Sequence, residues 1–194
     1  MLSPAMPVGA SKEGAGMSKP RSGLFHGTMG ERAIISAEQI IAVRTAGLDL
    51  REHHIGQKQL SASRMRKLST KVAARTATKA EYRMFMWNNR FKHRRKAGID
   101  SFWEQERERI ISGQPTTRNW TADQTLDILN GKKPKFRGRT IQGHHTYSAA
   151  KFPHLADRGE VIYPATGFEH LNGWHGGNYR RSLPGRRIRI VVEF

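Results

Sequence analysis

The segment from Gly143 to Arg181 constrains the fold more than any other part of the chain. It opens on a strand-like run that ends in two adjacent histidines, His144 and His145. A polar loop with Pro153 and Gly159 follows, then EVIY as a second strand. Thr166 and Glu169 form a capping box that starts a short helix carrying His170, and Gly176 with Gly177 closes that helix. The order is strand, loop, strand, helix, with imidazoles on the first strand and on the helix.

Imidazole is the commonest protein metal ligand and titrates nearest neutrality, so one cluster can supply both ligands and a general base. The chain has no cysteine, which excludes disulfides and thiolate sites and leaves His, Asp, Glu or Asn as ligands. Neighbours on a strand point to opposite faces. His144 and His145 therefore divide the labour, one imidazole binding a metal and the other taking a proton from water. His170 and His175 would complete the metal site from the helix, but five residues at ~100° each set them roughly 140° apart on an ideal α-helix. A distortion at Gly173 or at a helix end would have to swing His175 back. Glu169 reads first as a capping residue and second as a ligand or a neighbour of one, and Asn178 and Arg180 read as phosphate contacts. A divalent ion and a neutral imidazole in basic surroundings point to phosphodiester hydrolysis.

Charge supports that direction. Lys and Arg number 34 against 16 Asp and Glu, a formal charge of +18, which suits a polyanionic partner, nucleic acid first among them. A basic binding protein without chemistry and a membrane-surface binder are the competing classes. Arg64, Arg66, Lys67, Lys71, Arg75, Lys79 and Arg83, then Arg90, Lys92, Arg94, Arg95 and Lys96, give the middle of the chain a cationic exterior that can track phosphates.

The pattern predicts an α+β protein, mainly helical in its first two thirds: a flexible leader over 1–30, a helical basic region over 31–131, and a small strand–strand–helix region over 132–194 that ends in a basic strand. In the helical region Ser36 with Gln39, Thr78 with Glu81, and Thr121 with Gln124 are capping boxes. Tyr82, Phe85, Met86 and Phe91 share one face of a helix that is expected to stop at Gly98. A new helix is expected from Asp100 or Ser101, with Glu104, to Gly113, with Trp103, Ile110 and Ile111 toward a core. KFRGRTIQGHH, which contains Gly138, suits a strand pair or a turn into a strand. In RRIRIVVEF the alternation predicts a last strand with Ile188, Ile190, Val192 and Phe194 on one face. His53 and His54 read as solvated loop residues, His154 as structural or solvated, and His26 and His93 have no evident partner. No apolar run has the length of a signal peptide core or a membrane span.

GHHTYSAAKFPHLA, followed by VIYPAT and EHLNGWHGGNYR, resembles the GHH-signature branch of the HNH/endonuclease VII nucleases, and FWEQERERIISGQPTTRNWTADQTLDILNGKKP resembles the lead-in that these proteins carry. The resemblance runs from about Ile99 to Arg186 and implies a ββα-metal finger in a toxin domain of bacterial polymorphic toxins, including cargo of type VI secretion systems. It implies His145 as the general base and His144, His170 and His175 as ligands of one divalent ion, Mg²⁺ or Zn²⁺ first, with Mn²⁺ and Ni²⁺ as further candidates. It also implies DNA as substrate, with RNA as the alternative, and an acidic immunity protein as partner. The toxin would be made in the bacterial cytoplasm without a Sec signal, exported, and active in the cytoplasm of a target cell. Two departures stand out. Colicin-type members space the helix histidines four apart rather than five, and they carry an Asn before the second strand that orients the base, where this chain offers Asp157, Arg158 and Glu160.

Overall fold

A helix of 33 residues, α3 (Lys79–Ile111), is the element against which most of the described chain packs. The computed structural model describes residues 36–194; the expected leader and His26 lie outside them. Before α3 come α1 (Ala37–Thr45) and α2 (Ala62–Ala73), and after it α4 (Ala122–Leu129). A two-residue hairpin follows, β1 (Lys135–Phe136) with β2 (Arg139–Thr140), whose turn residues Arg137 and Gly138 have φ of 47° and 75°. Two left-handed central residues are the geometry of a tight hairpin turn matched to strand twist. Next come β3 (Gln142–His145) and β4 (Ile162–Ala165), antiparallel, with His144 opposite Tyr163 and His145 opposite Ile162. The chain is thus α+β, in keeping with the sequence expectation.

The expected capping boxes are present at Ser36, Thr78, Thr121 and Thr166, each with reciprocal side-chain and backbone bonds. Gly98 does not end a helix. It lies within α3, and a Cβ built on it would sit 2.6 Å from the Ala156 carbonyl oxygen. Close approach of backbone, rather than a stop, is why glycine stands there. With no break at Gly98, the expected new start at Asp100 or Ser101 is simply helix interior.

The core lies between α3 and the two strands. Phe102, Trp103, Ile128, Ile141, Phe152, Leu155, Val161 and Ile162 form its main cluster. Phe91 packs with Ala149 and Ala156, while Ile41 of α1 joins Tyr163 and Trp174. Ile111, expected toward the core, is 57% exposed, and Tyr82 is 48% exposed. Arg44 gives α1 a bonding role beyond packing: its guanidinium donates to the carbonyls of Gly159 (2.8 Å) and Ile162 (2.9 Å), holding the entry to β4. Glu106, fully buried, accepts from Thr117 N–H and hydroxyl, Trp120 Nε1 and Arg109, which ties the loop after α3 to the helix.

The C-terminal stretch is not the expected strand. Ile188 and Arg189 both donate their backbone N–H to the Gly173 carbonyl (2.9 and 3.0 Å), and Glu193 N–H goes to the Glu169 carboxylate (2.8 Å). The tail's hydrogen bonds therefore run to a helix end and a side chain instead of a ladder. Ile190 and Val192 consequently face solvent, 86% and 61% exposed. Phe194 stacks on Phe136, and the Arg118 guanidinium lies over its ring.

No helix among the described residues is long and apolar enough to cross a membrane. The twelve expected cations from Arg64 to Lys96 are all exposed. Among the described residues only Lys71, Arg94 and Lys96 of that set have a carboxylate partner, Glu81, Asp157 and Asp100 respectively.

Candidate active site

Gly143, ahead of the two histidines, lies where β3 runs under α3. A Cβ there would meet Ile162 Cγ2 at 2.9 Å and Ile99 Cγ2 at 3.0 Å. The strand can lie this close to both neighbours because the position has no side chain. Beyond it the strand period sends His144 and His145 to opposite sides, as expected.

His144 turns toward the segment after β4. That segment, Glu169–Trp174, is a π-helix. His175 N–H donates to the His170 carbonyl five residues back (3.2 Å), the bond that defines this helix type. Residues five apart are thereby brought onto one face, which removes the angular conflict that an α-helix would impose. His170 Nε2 and His175 Nε2 are 3.2 Å apart, and the His144 ring centroid is 4.8 Å from that of His170 and 5.0 Å from that of His175. One donor nitrogen from each of the three lies within 4.8 Å of the others.

The outer nitrogens of the helix pair are committed. His175 Nδ1 donates to the Arg181 carbonyl (2.5 Å) and His170 Nδ1 to Gln142 Oε1 (2.6 Å). A carbonyl oxygen can only accept, so each ring carries its proton on Nδ1 and turns an Nε2 lone pair inward. Two lone pairs facing each other at 3.2 Å repel unless a cation lies between them. Ligating histidines are commonly held by an outer N–H in this way. Gln142 was not singled out by sequence reasoning; the one sequence cue to it is the two-residue period that puts Gln142 and His144 on the same face.

His145 points to the α3 side, where its Nε2 donates to the Ala156 carbonyl (3.0 Å). The orienting group is thus a backbone oxygen. Of the side chains offered for that duty, Asp157 pairs with Arg94 instead (2.9 Å). With Nε2 donating, Nδ1 is the basic nitrogen of His145, and it has no hydrogen-bond partner among the described residues.

Glu169 serves the capping box and more. Its carboxylate takes a bidentate pair from buried Arg118 (2.7 and 2.9 Å) together with the Thr166 and Glu193 N–H groups. Burial alone would raise its pKa; the Arg118 guanidinium and the backbone donors outweigh that and hold it below the ordinary value. It is not among the residues that converge with the three imidazoles. Asn178 is exposed and caps the Arg180 N–H (3.0 Å). Arg180 lines a groove of about 400 Å³ with Ser148, Lys151, Arg181 and Ser182. Trp174 is buried against His144, whereas Tyr179 is 60% exposed.

Burial pushes His145 down to about 4, with Arg95 adding to the effect and the Ala156 carbonyl opposing it. Burial and the neighbouring His175 likewise bring His170 to about 4. His144 is held well below its ordinary value, by burial first and then by the other imidazoles. All three are neutral at pH 7. Because their folded values lie below the unfolded value of about 6.5, the unfolded chain binds more protons between those limits. Stability of the metal-free protein is therefore expected to be full above pH 6.5 and to fall as pH drops toward 4. The His145 share of that loss is about 3 kcal/mol. Urea titrations across this range would show it, and a midpoint that did not move between pH 6.5 and 4.5 would contradict these assignments.

Gly98→Ala tests the carbonyl that orients His145. The new methyl must displace Ala156, so a loss of about 1–3 kcal/mol of stability is expected. A fall in turnover should persist at temperatures where the variant is fully folded. Thermal unfolding and single-turnover cleavage together would separate the two effects.

Residues 86–166 match the family of GHH signature containing HNH/Endo VII superfamily nuclease toxins. No curated protein and no solved structure matches the chain. The matched span begins inside α3, includes Gly98, His144, His145 and β4, and stops before His170 and His175. With the strand–strand–helix order and the converging imidazoles already in place, this segment is what the chain shares with the GHH-signature HNH/Endo VII nuclease toxins.

Proposed function

We propose that this protein is a metal-dependent endonuclease, with DNA as its substrate, and that it acts as an antibacterial effector. The observation that carries the reading is the division of β3: three imidazoles gather on one side of it, and a fourth, fixed by a backbone carbonyl, lies on the other. His144, His170 and His175 are the residues that would hold the ion. A set of three nitrogen donors suits Zn²⁺ or Ni²⁺ better than Mg²⁺, which prefers oxygen. Three protein ligands are also the pattern of catalytic zinc, since structural zinc takes four.

When bound, a divalent ion supplies Lewis-acid stabilisation of phosphate charge. His145 takes the proton of the attacking water on Nδ1, and the Ala156 carbonyl keeps its Nε2–H tautomer. Arg180 and Asn178 bind backbone phosphate beside the groove. The exposed cations of α2 and α3 draw the polyanion to the face, with residues 132–194 as the catalytic finger and 31–131 as the basic support.

An acidic immunity protein in the producing cell would match this charge. Synthesis in the bacterial cytoplasm, export by a route such as type VI secretion, and action in the target cytoplasm complete the reading. The test is cleavage of supercoiled plasmid and of RNA by purified protein with Zn²⁺, Ni²⁺, Mg²⁺ or Mn²⁺ and an EDTA control. Metal-dependent nicking of plasmid is expected. Cleavage confined to RNA would make the protein a ribonuclease, and tight binding without cutting under any metal would remove the enzyme reading altogether.

A further inference from the structure

A second histidine cluster lies apart from the β3 site. His53, expected to be a solvated loop residue, and His154, expected to be structural or solvated, meet with ring centroids 4.0 Å apart. Asp49 joins them: its Oδ2 is 3.1 Å from His53 Nε2, and its backbone carbonyl accepts from His154 Nε2 (2.7 Å). One donor atom from each of Asp49, His53 and His154 lies within 4.8 Å of the others.

The decisive atom is His154 Nδ1. With Nε2 donating to a carbonyl, Nδ1 carries the lone pair, and it is buried without any hydrogen-bond partner. A buried acceptor in that condition needs an explanation. It repeats the arrangement of His170 and His175, an outer N–H fixed by an oxygen and an inner lone pair left open.

We propose that Asp49, His53 and His154 form a second divalent-cation site, with two imidazole nitrogens and one carboxylate oxygen as ligands. That mixed set suits Zn²⁺, Ni²⁺ or Co²⁺. The cation's role is to fasten the 49–54 segment to the turn before Ala156. The two segments already touch through His53 N–H to the Lys151 carbonyl (2.9 Å) and through Lys151 to Glu52 (2.9 Å). Arg51 is the competitor, since its guanidinium now holds both Asp49 oxygens at 2.8 Å. That pair is exposed, 83% on the arginine side, and exposed pairs give way easily.

The experiment is zinc titration of the metal-free full chain by calorimetry, with elemental analysis after dialysis. Two zinc ions per chain are expected for the wild type. His53→Gln and Asp49→Asn should each bind one, and the double variant His170→Ala, His175→Ala should also retain one. Arg51→Ala should tighten the second site several-fold, a gain that misfolding cannot produce. Stoichiometry that His53→Gln and Asp49→Asn leave unchanged would overturn the proposal, as would a His170, His175 double variant that binds no zinc. Since that double variant removes the β3 site alone, failure of the nuclease reading and failure of this one give different counts.

Discussion

His145→Ala is expected to lower the cleavage rate at saturating metal by about 10²–10⁴-fold, the usual contribution of a positioned general base. Zinc affinity at the three-imidazole site should stay within a few-fold of wild type, because the substituted side chain lies on the opposite face of β3 from His144. This separation is what distinguishes a base from a ligand. Single-turnover rates, with zinc binding measured on the same preparation, would check it. If the variant lost its metal along with its activity, His145 would have to be reassigned as a ligand.

His170→Ala and His175→Ala are expected to act the other way. Each removes one of three nitrogen donors, so zinc binding at that site should weaken by orders of magnitude and activity at micromolar zinc should fall to the level of the EDTA control. The wild type should also unfold later with zinc than without it: a ligand at 1,000 times its Kd stabilises by about 4 kcal/mol. Both variants should lose the part of this gain that belongs to the three-imidazole site, while their metal-free stability changes little or rises. A rise is reasonable because the two facing Nε2 lone pairs, 3.2 Å apart, repel in the metal-free state. Thermal melts with and without zinc are the measurement. A zinc-dependent shift equal to that of the wild type would show that the ion is held elsewhere.

What could be read from the chain and what could not divides along physical lines. Capping boxes at Ser36, Thr78, Thr121 and Thr166 were legible because all their atoms lie within four residues. The opposite directions of His144 and His145 followed from strand period alone. Gly98 was misread, because a glycine that ends a helix and one that lets another backbone pass at van der Waals distance are the same letter. Only the partner, Ala156, distinguishes them. The tail misled for a related reason: RRIRIVVEF alternates like a strand, but a strand needs a free edge, and this segment spends its N–H groups on Gly173 and Glu169. The orienting group of His145 was out of reach of any residue pattern, since every residue has a carbonyl. Arg118 gave no local cue because its carboxylate partner is 51 residues away, and for Glu106 only Arg109 is near in sequence, while Thr117 and Trp120 lie 11 and 14 residues on.

The π-helix has a consequence for how such sites tolerate length change. An α-helix that gains one residue rotates everything beyond it by about 100°, which would carry a ligand off the site. A turn that switches its hydrogen bonding from four back to five absorbs the extra residue locally, and the second histidine returns to the same face. A one-residue difference between His170 and His175 is thus absorbed within the turn, and the three imidazoles stay together. A motif written as a fixed interval is then really a statement about helix type, and chains that keep the site by changing the helix will escape a search that counts residues.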